Sequence, residues 1–136
     1  MTYFKEKIRN SKHIDLLIKF GATGALGTIL NLILFFIFVD VSGLPAIPGS
    51  ILCFVIAATQ NYYINHYWTF SNNNNSVTFK NWFKYLLAAI AGLLVNLVIL
   101  KLTINWFDYL TFSQLLGILC GFLINFIVAR IYVFKA

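Results

Sequence analysis

Two apolar runs of this 136-residue chain share one pattern at an interval of 65 positions. In each run a lysine is followed by a glycine eight positions later and by an asparagine twelve positions later. Each run is long enough to cross a bilayer, whose hydrocarbon core of about 30 Å needs about 20 helical residues. The pattern predicts a membrane protein made of two similar halves. The residues that define it are Lys19, Gly27 and Asn31 in the first run, and Lys84, Gly92 and Asn96 in the second.

The composition supports the membrane class. The chain is 60% hydrophobic and only 10% charged, with a mean hydropathy of +0.82, whereas soluble domains carry about 25% charged residues. The charged side chains are too few to cover the surface of a soluble protein. The net charge of +6 does not indicate nucleic-acid binding, because the cations flank apolar runs, where they orient a membrane protein.

Four apolar segments are long enough to be membrane-spanning helices. Nine of the ten Lys and Arg residues lie in the N-terminal segment, the middle loop or the C-terminal end. Because Lys and Arg concentrate on the cytoplasmic side, we predict that both termini and the Asn-rich loop 71–80 are cytoplasmic. The approximate spans are 16–39, 47–70, 83–106 and 112–134.

Each half contributes two spans, so both halves should have the same orientation and be related by an axis along the membrane normal. Repeat one covers 19–70 and repeat two covers 84–136. The expected fold is an all-α membrane domain over 16–136, with four transmembrane helices built as two parallel two-helix repeats. Residues 1–15 would be a cytoplasmic basic segment, either an amphipathic helix on an anionic leaflet or a frayed tail.

Amide side chains stand at the depth of the acyl chains. By helical rise, Asn31 and Asn96 lie roughly 18 Å from their opening lysines, near the middle of the bilayer. Such groups should turn away from lipid, toward one another or a wet cavity. They either hold helices together, at about 0.6 to 2 kcal/mol each, or line a path for a sugar head group. The candidate path residues are Asn31, Asn61, Asn65, Asn96 and Asn125.

Four cationic or titratable side chains flank the spans on the predicted cytoplasmic side. They either extend to the interface and set the topology, or hold the phosphate of a lipid-linked substrate. Arg130 is the best phosphate candidate, because a guanidinium pairs with phosphate bidentately. The full set is Arg130, Lys19, Lys84 and His66.

The sequence lacks the groups that several other functions require. All four acids lie at or beyond span ends, so a proton-driven drug exporter is disfavoured. No nucleophile–base pair, metal cluster or phosphate-binding glycine loop is evident. Cys53 and Cys120 lie inside apolar runs and are read as small buried side chains. We therefore expect neither catalysis nor a metal or cofactor.

The motifs resemble those of the GtrA-like family. Lys-Phe-Gly-x-x-Gly begins at Lys19, Asn31 follows in mid-span, and 65–70 reads Asn-His-Tyr-Trp-Thr-Phe. The family usually closes its second span with Asn-x-x-Trp-Thr-Phe, with Arg or Lys after the Asn. Here His66 takes that place, while repeat two keeps Arg130 but lacks the Asn. The resemblance extends over about 16–135.

The resemblance implies a small four-span protein of polysaccharide biosynthesis in the cell membrane, most simply a bacterial cytoplasmic membrane. Family members are thought to flip a polyprenyl-phosphate-linked sugar, often glucose, to the outer leaflet, where it decorates O-antigen, teichoic acid or a similar glycan. Its partners would be that lipid-linked sugar and membrane lipids. The alternative is a non-transporting scaffold for a polyprenyl-phosphate glycosyltransferase. Gly and Ala stripes on three spans suit such helix contacts, and also suit a homodimer.

Overall fold

The computed structural model describes residues 1–71 and 76–128, with side chains given as far as Ile124 in the last helix. Within those ranges the regular structure is entirely helical. Two of the four long helices continue directly into π-helical segments, Phe36–Val41 and Asn65–Thr69. The helices are α1 (Thr2–Phe35), α2 (Ala46–Ile64), α3 (Phe79–Thr103) and α4 (Leu110–Val128).

Three helical stretches are long and apolar enough to cross a membrane, namely Thr2–Val41, Ala46–Thr69 and Phe79–Thr103. A shorter apolar stretch covers Leu110–Ile124 of α4. The prediction of an all-helical membrane protein is therefore confirmed. The fourth span, the orientation of the termini and the two-repeat arrangement stay predictions at this level.

Helix α1 begins well before the predicted first span. Residues 2–15 are exposed and helical, and they continue into the span without a break. A helix of 34 residues is roughly 50 Å long, so it exceeds a bilayer core by several turns. The segment is thus helical, as in the first of the two alternatives, and its contact with a leaflet stays a prediction.

The helices pack through small residues. Helix α1 packs against α2, α2 against α3, and α3 most extensively against α4, which α1 also touches. A Cβ placed on Gly121 would lie 2.7 Å from the carbonyl oxygen of Gly92, so the backbones of α3 and α4 touch there. Small residues permit such approach between helices in lipid.

An apolar core occupies one end of the bundle. It consists of the buried residues Phe35, Val39, Ala46, Cys53 and Leu100. Nine described polar side chains are also buried, and they come from all four helices or their π-helical extensions. These buried polar residues are Thr23, Asn31, Ser50, Asn65, Thr69, Asn96, Thr103, Ser113 and Gln114.

Asp40 joins the first half of the chain to α4. The sequence places Asp40 in a turn, but it lies inside the π-helical segment Phe36–Val41. Its carboxylate accepts hydrogen bonds from the backbone N–H groups of Leu110 and Thr111, both at 3.0 Å, and from the Thr111 hydroxyl. The first N–H groups of a helix have no partner within the helix and favour a negative charge. Asp40 therefore caps α4 from a distant part of the chain.

Candidate functional site

Four buried side chains, one from each helix, form a hydrogen-bonded chain across the bundle. The Gln114 amide N–H donates to Asn31 Oδ1 at 2.9 Å, and the Ser50 hydroxyl donates to Gln114 Oε1 at 3.0 Å. The Asn96 amide N–H donates to Ser50 Oγ at 3.4 Å. We call Asn31, Ser50, Asn96 and Gln114 the central network. It connects α1, α4, α2 and α3 in a single polar chain.

The central network follows the internal repeat of the sequence. Asn96 stands 65 positions after Asn31, and Gln114 stands 64 positions after Ser50. Asn31 pairs with Gln114, and their counterparts Asn96 and Ser50 pair with each other. The third pair, Ser50 and Gln114, joins two residues that are counterparts. The same pairs therefore form from both halves of the chain.

Sequence reasoning missed Ser50 and Gln114. The signal that could have found them was the interval between the second spans, because the same 64 positions separate Asn61 from Asn125. Applied to Ser50, this interval leads to Gln114, whose amide lies in an apolar run.

Gly117 makes room for the Asn96 end of the central network. The Asn96 oxygen occupies the space where a side chain on Gly117 would begin. That oxygen has no hydrogen-bond partner among the residues that the structure describes. The position requires glycine for space, and a larger residue would push α4 away from α3.

A second set of polar side chains lies at the end of the bundle where α2 ends and α3 begins, which we call the proximal end. We call Asn61, Tyr62, Asn65 and Tyr85 the amide–tyrosine cluster. The Asn65 amide N–H donates to the Tyr85 hydroxyl at 3.2 Å, and the ring centroids of Tyr62 and Tyr85 are 5.6 Å apart. Tyr62 is 8% exposed and Asn65 is 5% exposed.

Most hydrogen-bonding capacity of this cluster is unused. Asn61 Oδ1, the Tyr62 hydroxyl and Asn65 Oδ1 are buried and have no partner within the described residues. A buried polar atom without a partner costs about 1–3 kcal/mol. Asn61 is also held close to α1, since a Cβ on Gly27 would lie 2.5 Å from its terminal oxygen and nitrogen. Packing therefore holds the cluster in place, although three of its buried polar atoms have no partner among the described residues.

The proximal end also holds two of the predicted phosphate ligands. Lys19 Nζ lies 3.3 Å from the Asp15 carboxylate and 5.8 Å from the centre of the Trp68 ring. The His66 ring lies 4.7 Å from that of Tyr67 and 6.3 Å from that of Tyr62, centroid to centroid. His66 thus contacts the amide–tyrosine cluster at Tyr62, and Lys19 lies beside Trp68 in the π-helical segment that begins at Asn65.

The predicted amides fall into two layers. Asn31 and Asn96 belong to the central network, whereas Asn61 and Asn65 belong to the amide–tyrosine cluster. Asn61 contacts α1 at Gly27, which stands four residues before Asn31. At 1.5 Å per residue the Asn61 layer is therefore about 6 Å from the central network.

The remaining predicted residues are separate from both layers or undescribed. Lys84 is exposed on α3. The side chain of Asn125 and the whole of Arg130 lie outside the described residues. Among the residues that are described, no group of three His, Cys, Asp or Glu side chains could hold a metal ion.

A surface pocket of about 450 Å³ adjoins the proximal end between α2 and α3. The Trp82 indole N–H donates to Thr59 Oγ1 at 2.9 Å beneath it. The lining residues are Thr59, Tyr63, Val77, Thr78, Phe79 and Trp82.

Long apolar helices around a buried polar interior define a helical membrane protein. The family described as GtrA/DPMS, transmembrane domain, matches residues 19–134, which is most of the chain. The chain therefore belongs to this family, and the resemblance read from its motifs is confirmed. The match begins at Lys19 and covers every residue of the central network and the amide–tyrosine cluster.

A curated relative carries a similar region within a longer protein. Dolichol-phosphate mannosyltransferase of Pyrococcus furiosus is 25% identical over 117 residues, which cover 86% of this chain and 33% of that protein. The chain thus spans about a third of the length of that relative.

Proposed function

We propose that the chain translocates a polyprenyl-phosphate-linked sugar from the cytoplasmic to the outer leaflet, where the sugar is used to glycosylate a cell-surface polysaccharide or teichoic acid. The central network is the observation that carries the proposal. It joins hydrogen-bonding side chains of all four helices inside the bundle. Membership of the GtrA/DPMS family and the relative named for dolichol phosphate support the substrate class.

The proposed architecture is four spans arranged as two parallel repeats, with both termini in the cytoplasm. The exchange pattern of the central network supports a two-fold axis along the membrane normal, because equivalent residues form equivalent pairs, although Asn31 accepts its hydrogen bond and Asn96 donates its own. The distribution of Lys and Arg supports the orientation. The amide–tyrosine cluster then lies on the cytoplasmic side of the central network.

Translocation would proceed by exchange of hydrogen bonds. In the closed arrangement the amides of the central network pair with one another. Sugar hydroxyls are both donors and acceptors, so they can replace these pairs singly while the prenyl chain stays in lipid. Each interhelical pair is worth only about 0.6 to 2 kcal/mol, so the exchange has a low barrier. The two interpretations of the amides, helix contact and path lining, then describe two states of one device.

The phosphate would be held outside the membrane core. Lys19, Lys84, His66 and Arg130 remain the candidates, of which His66 contacts the amide–tyrosine cluster and Lys19 lies beside Trp68. The Lys19–Asp15 pair is partly exposed, with side-chain exposures of 28% and 61%. Exposed pairs are worth at most about 1 kcal/mol, so a phosphate can displace the carboxylate. No catalytic step by this chain is part of the proposal.

The test is leaflet transfer of polyprenyl-phosphate-glucose in proteoliposomes. We expect the double variant Asn31→Leu, Asn96→Leu to slow transfer at least about tenfold, because one lost interaction of 1.4 kcal/mol has that effect. Asn10→Leu, on the exposed part of α1, is the matched control and should transfer normally. A double variant that elutes as the wild type does and transfers at the wild-type rate would show that the central network is no path.

A second candidate function is a scaffold that recruits a polyprenyl-phosphate glycosyltransferase. It is favoured by the relative, in which the similar region is about a third of a protein named as a transferase. The scaffold predicts co-purification with a transferase and unchanged recruitment by the double variant. Transferase recruitment without any sugar-lipid transfer by wild-type chain would favour the scaffold over the translocase.

A further inference from the structure

We propose that the amide–tyrosine cluster is a binding site for the sugar head group, which it recognises through hydroxyls before the head reaches the central network. This inference rests on the proposed function for its substrate class. It starts from an independent observation: three polar atoms, one each of Asn61, Tyr62 and Asn65, are buried and have no partner in the part of the chain that the structure describes. They occur within five consecutive residues of one helix, whereas the similarly buried central network has one.

Burial makes these atoms costly unless a ligand meets them. Tyr62 and Asn65 are more than nine-tenths buried, and lipid around the bundle offers no hydrogen bonds. At about 1–3 kcal/mol for each unpaired atom, packing alone gives no reason to place three together. Ligand sites, in contrast, combine apolar walls with a few convergent polar groups.

The geometry of the cluster matches one face and one edge of a sugar ring. Asn61 and Asn65 are four residues apart, so they lie on one side of α2. The rings of Tyr62 and Tyr85 contact each other, tilted by 52° with centroids 5.6 Å apart. The amide oxygens can accept protons from hydroxyls, and the tyrosine rings offer apolar faces to the carbon side of the ring.

The chemistry favours a neutral hydroxyl-bearing ligand over a phosphate. Amide oxygens accept hydrogen bonds, and an ionised phosphate has no proton to donate to them. One of the two N–H groups of the Asn65 amide already donates to the Tyr85 hydroxyl. The four residues of the cluster carry no positive charge. The sugar therefore belongs in the cluster, and its phosphate belongs nearer the membrane surface.

The position of the cluster makes it a first station on the proposed path. Asn61 contacts Gly27, one helical turn from Asn31 of the central network. A sugar bound by Asn61 and Asn65 would be within about 6 Å of the first exchangeable pair, given the helical rise. Binding in the cluster thus precedes exchange in the network.

Equilibrium binding to the full chain in detergent tests the site without any transfer step. The probes are geranyl-phosphate-glucose and geranyl phosphate, which share the lipid and differ in the sugar. We expect Tyr62→Phe and Asn65→Leu each to weaken binding of the sugar probe about tenfold, the equivalent of one hydrogen bond. Both variants should bind geranyl phosphate as the wild type does. Tyr63→Phe, which changes the exposed neighbour of Tyr62, is the matched control.

Deoxy probes then identify the hydroxyl that Tyr62 recognises. We expect one of the 2-, 3-, 4- or 6-deoxy-glucosyl probes to bind the wild-type chain about tenfold more weakly than the full glucosyl probe does. The Tyr62→Phe variant should bind that deoxy probe and the full glucosyl probe with equal affinity. The proposal is wrong if Tyr62→Phe binds the sugar probe normally, or if the loss is the same for geranyl phosphate. Tyr62→Phe removes one oxygen atom and keeps the ring, so misfolding does not obscure the outcome.

The two proposals fail in different ways. Sugar-specific binding at the cluster, with no transfer in proteoliposomes, would uphold the site and refute translocation. Transfer that depends on Asn31 and Asn96 while Tyr62→Phe binds normally would uphold translocation and refute the site.

Discussion

The central network and the amide–tyrosine cluster are both buried and polar, yet they use their hydrogen-bonding capacity differently. The central network has three hydrogen bonds among four side chains from four helices and one unpaired atom. The cluster has one described hydrogen bond and three unpaired atoms on one helix. Both contain side chains that are at least nine-tenths buried in the bundle, so burial alone does not explain the difference.

This difference separates two uses of polar groups inside a membrane protein. Side chains that pair across helices fix the packing, and removing one of them leaves its partner unmet. Side chains that packing holds in place without partners add little to stability and stay available to a ligand. The central network should therefore determine stability, and the cluster should determine binding.

The largest expected effect breaks the central network by steric overlap. Gly117→Ala would place a methyl group on the Asn96 oxygen, so α4 must move or Asn96 must leave its bond with Ser50. We expect the free energy of unfolding in detergent to fall by about 2–3 kcal/mol, as for other overpacked sites. Gly24→Ala is the matched control, because a Cβ there meets nothing within 4 Å. Equal stability of the two variants would contradict the close contact between α3 and α4.

A smaller effect is expected from removing the centre of the network without overlap. Gln114→Leu leaves Asn31 Oδ1 without its donor and the Ser50 hydroxyl without its acceptor. We expect the free energy of unfolding to fall by about 1–2 kcal/mol, measured by reversible denaturation in SDS. An unchanged value would mean that these bonds contribute nothing to packing, and the distinction between the two regions would be lost.

The smallest effect on stability should come from the cluster. Tyr62→Phe removes a buried hydroxyl that has no described partner, so the free energy of unfolding should stay the same or rise by up to about 1 kcal/mol. The same denaturation experiment measures this change. A loss of more than 1 kcal/mol would place Tyr62 with the stabilising residues and would remove the contrast on which the sugar site rests.

The sequence was sufficient for the membrane class, the family and the burial of the paired amides. Lys19 to Asn31 and Lys84 to Asn96 repeat the same spacing, and both asparagines are buried as expected, at 6% and 5% exposure. Such features follow from hydropathy and from the cost of an amide in lipid.

The hydrogen-bond partners of those two asparagines could not be predicted from their spacing. Asn31 contacts Gln114 and Asn96 contacts Ser50 because of the rotation of each helix about its axis, which packing determines and spacing does not. The contact between Tyr62 and Tyr85 could not be predicted from the sequence either, since tyrosines near a span end are also typical of the interfacial aromatic belt. The length of α1 could not be predicted from hydropathy, because hydropathy shows where a helix enters lipid and not where the helix begins.

The π-helical segment Phe36–Val41 has a consequence for the history of the chain. Nineteen positions separate Asn31 from Ser50, but eighteen separate Asn96 from Gln114. A π-helical turn accommodates one residue more than an α-helical turn, and this segment lies within the longer interval. On the two-repeat architecture, a single inserted residue in one copy of a duplicated hairpin would be absorbed as a wider turn. That turn carries Asp40, so the wider turn also holds the cap that joins the first hairpin to the second.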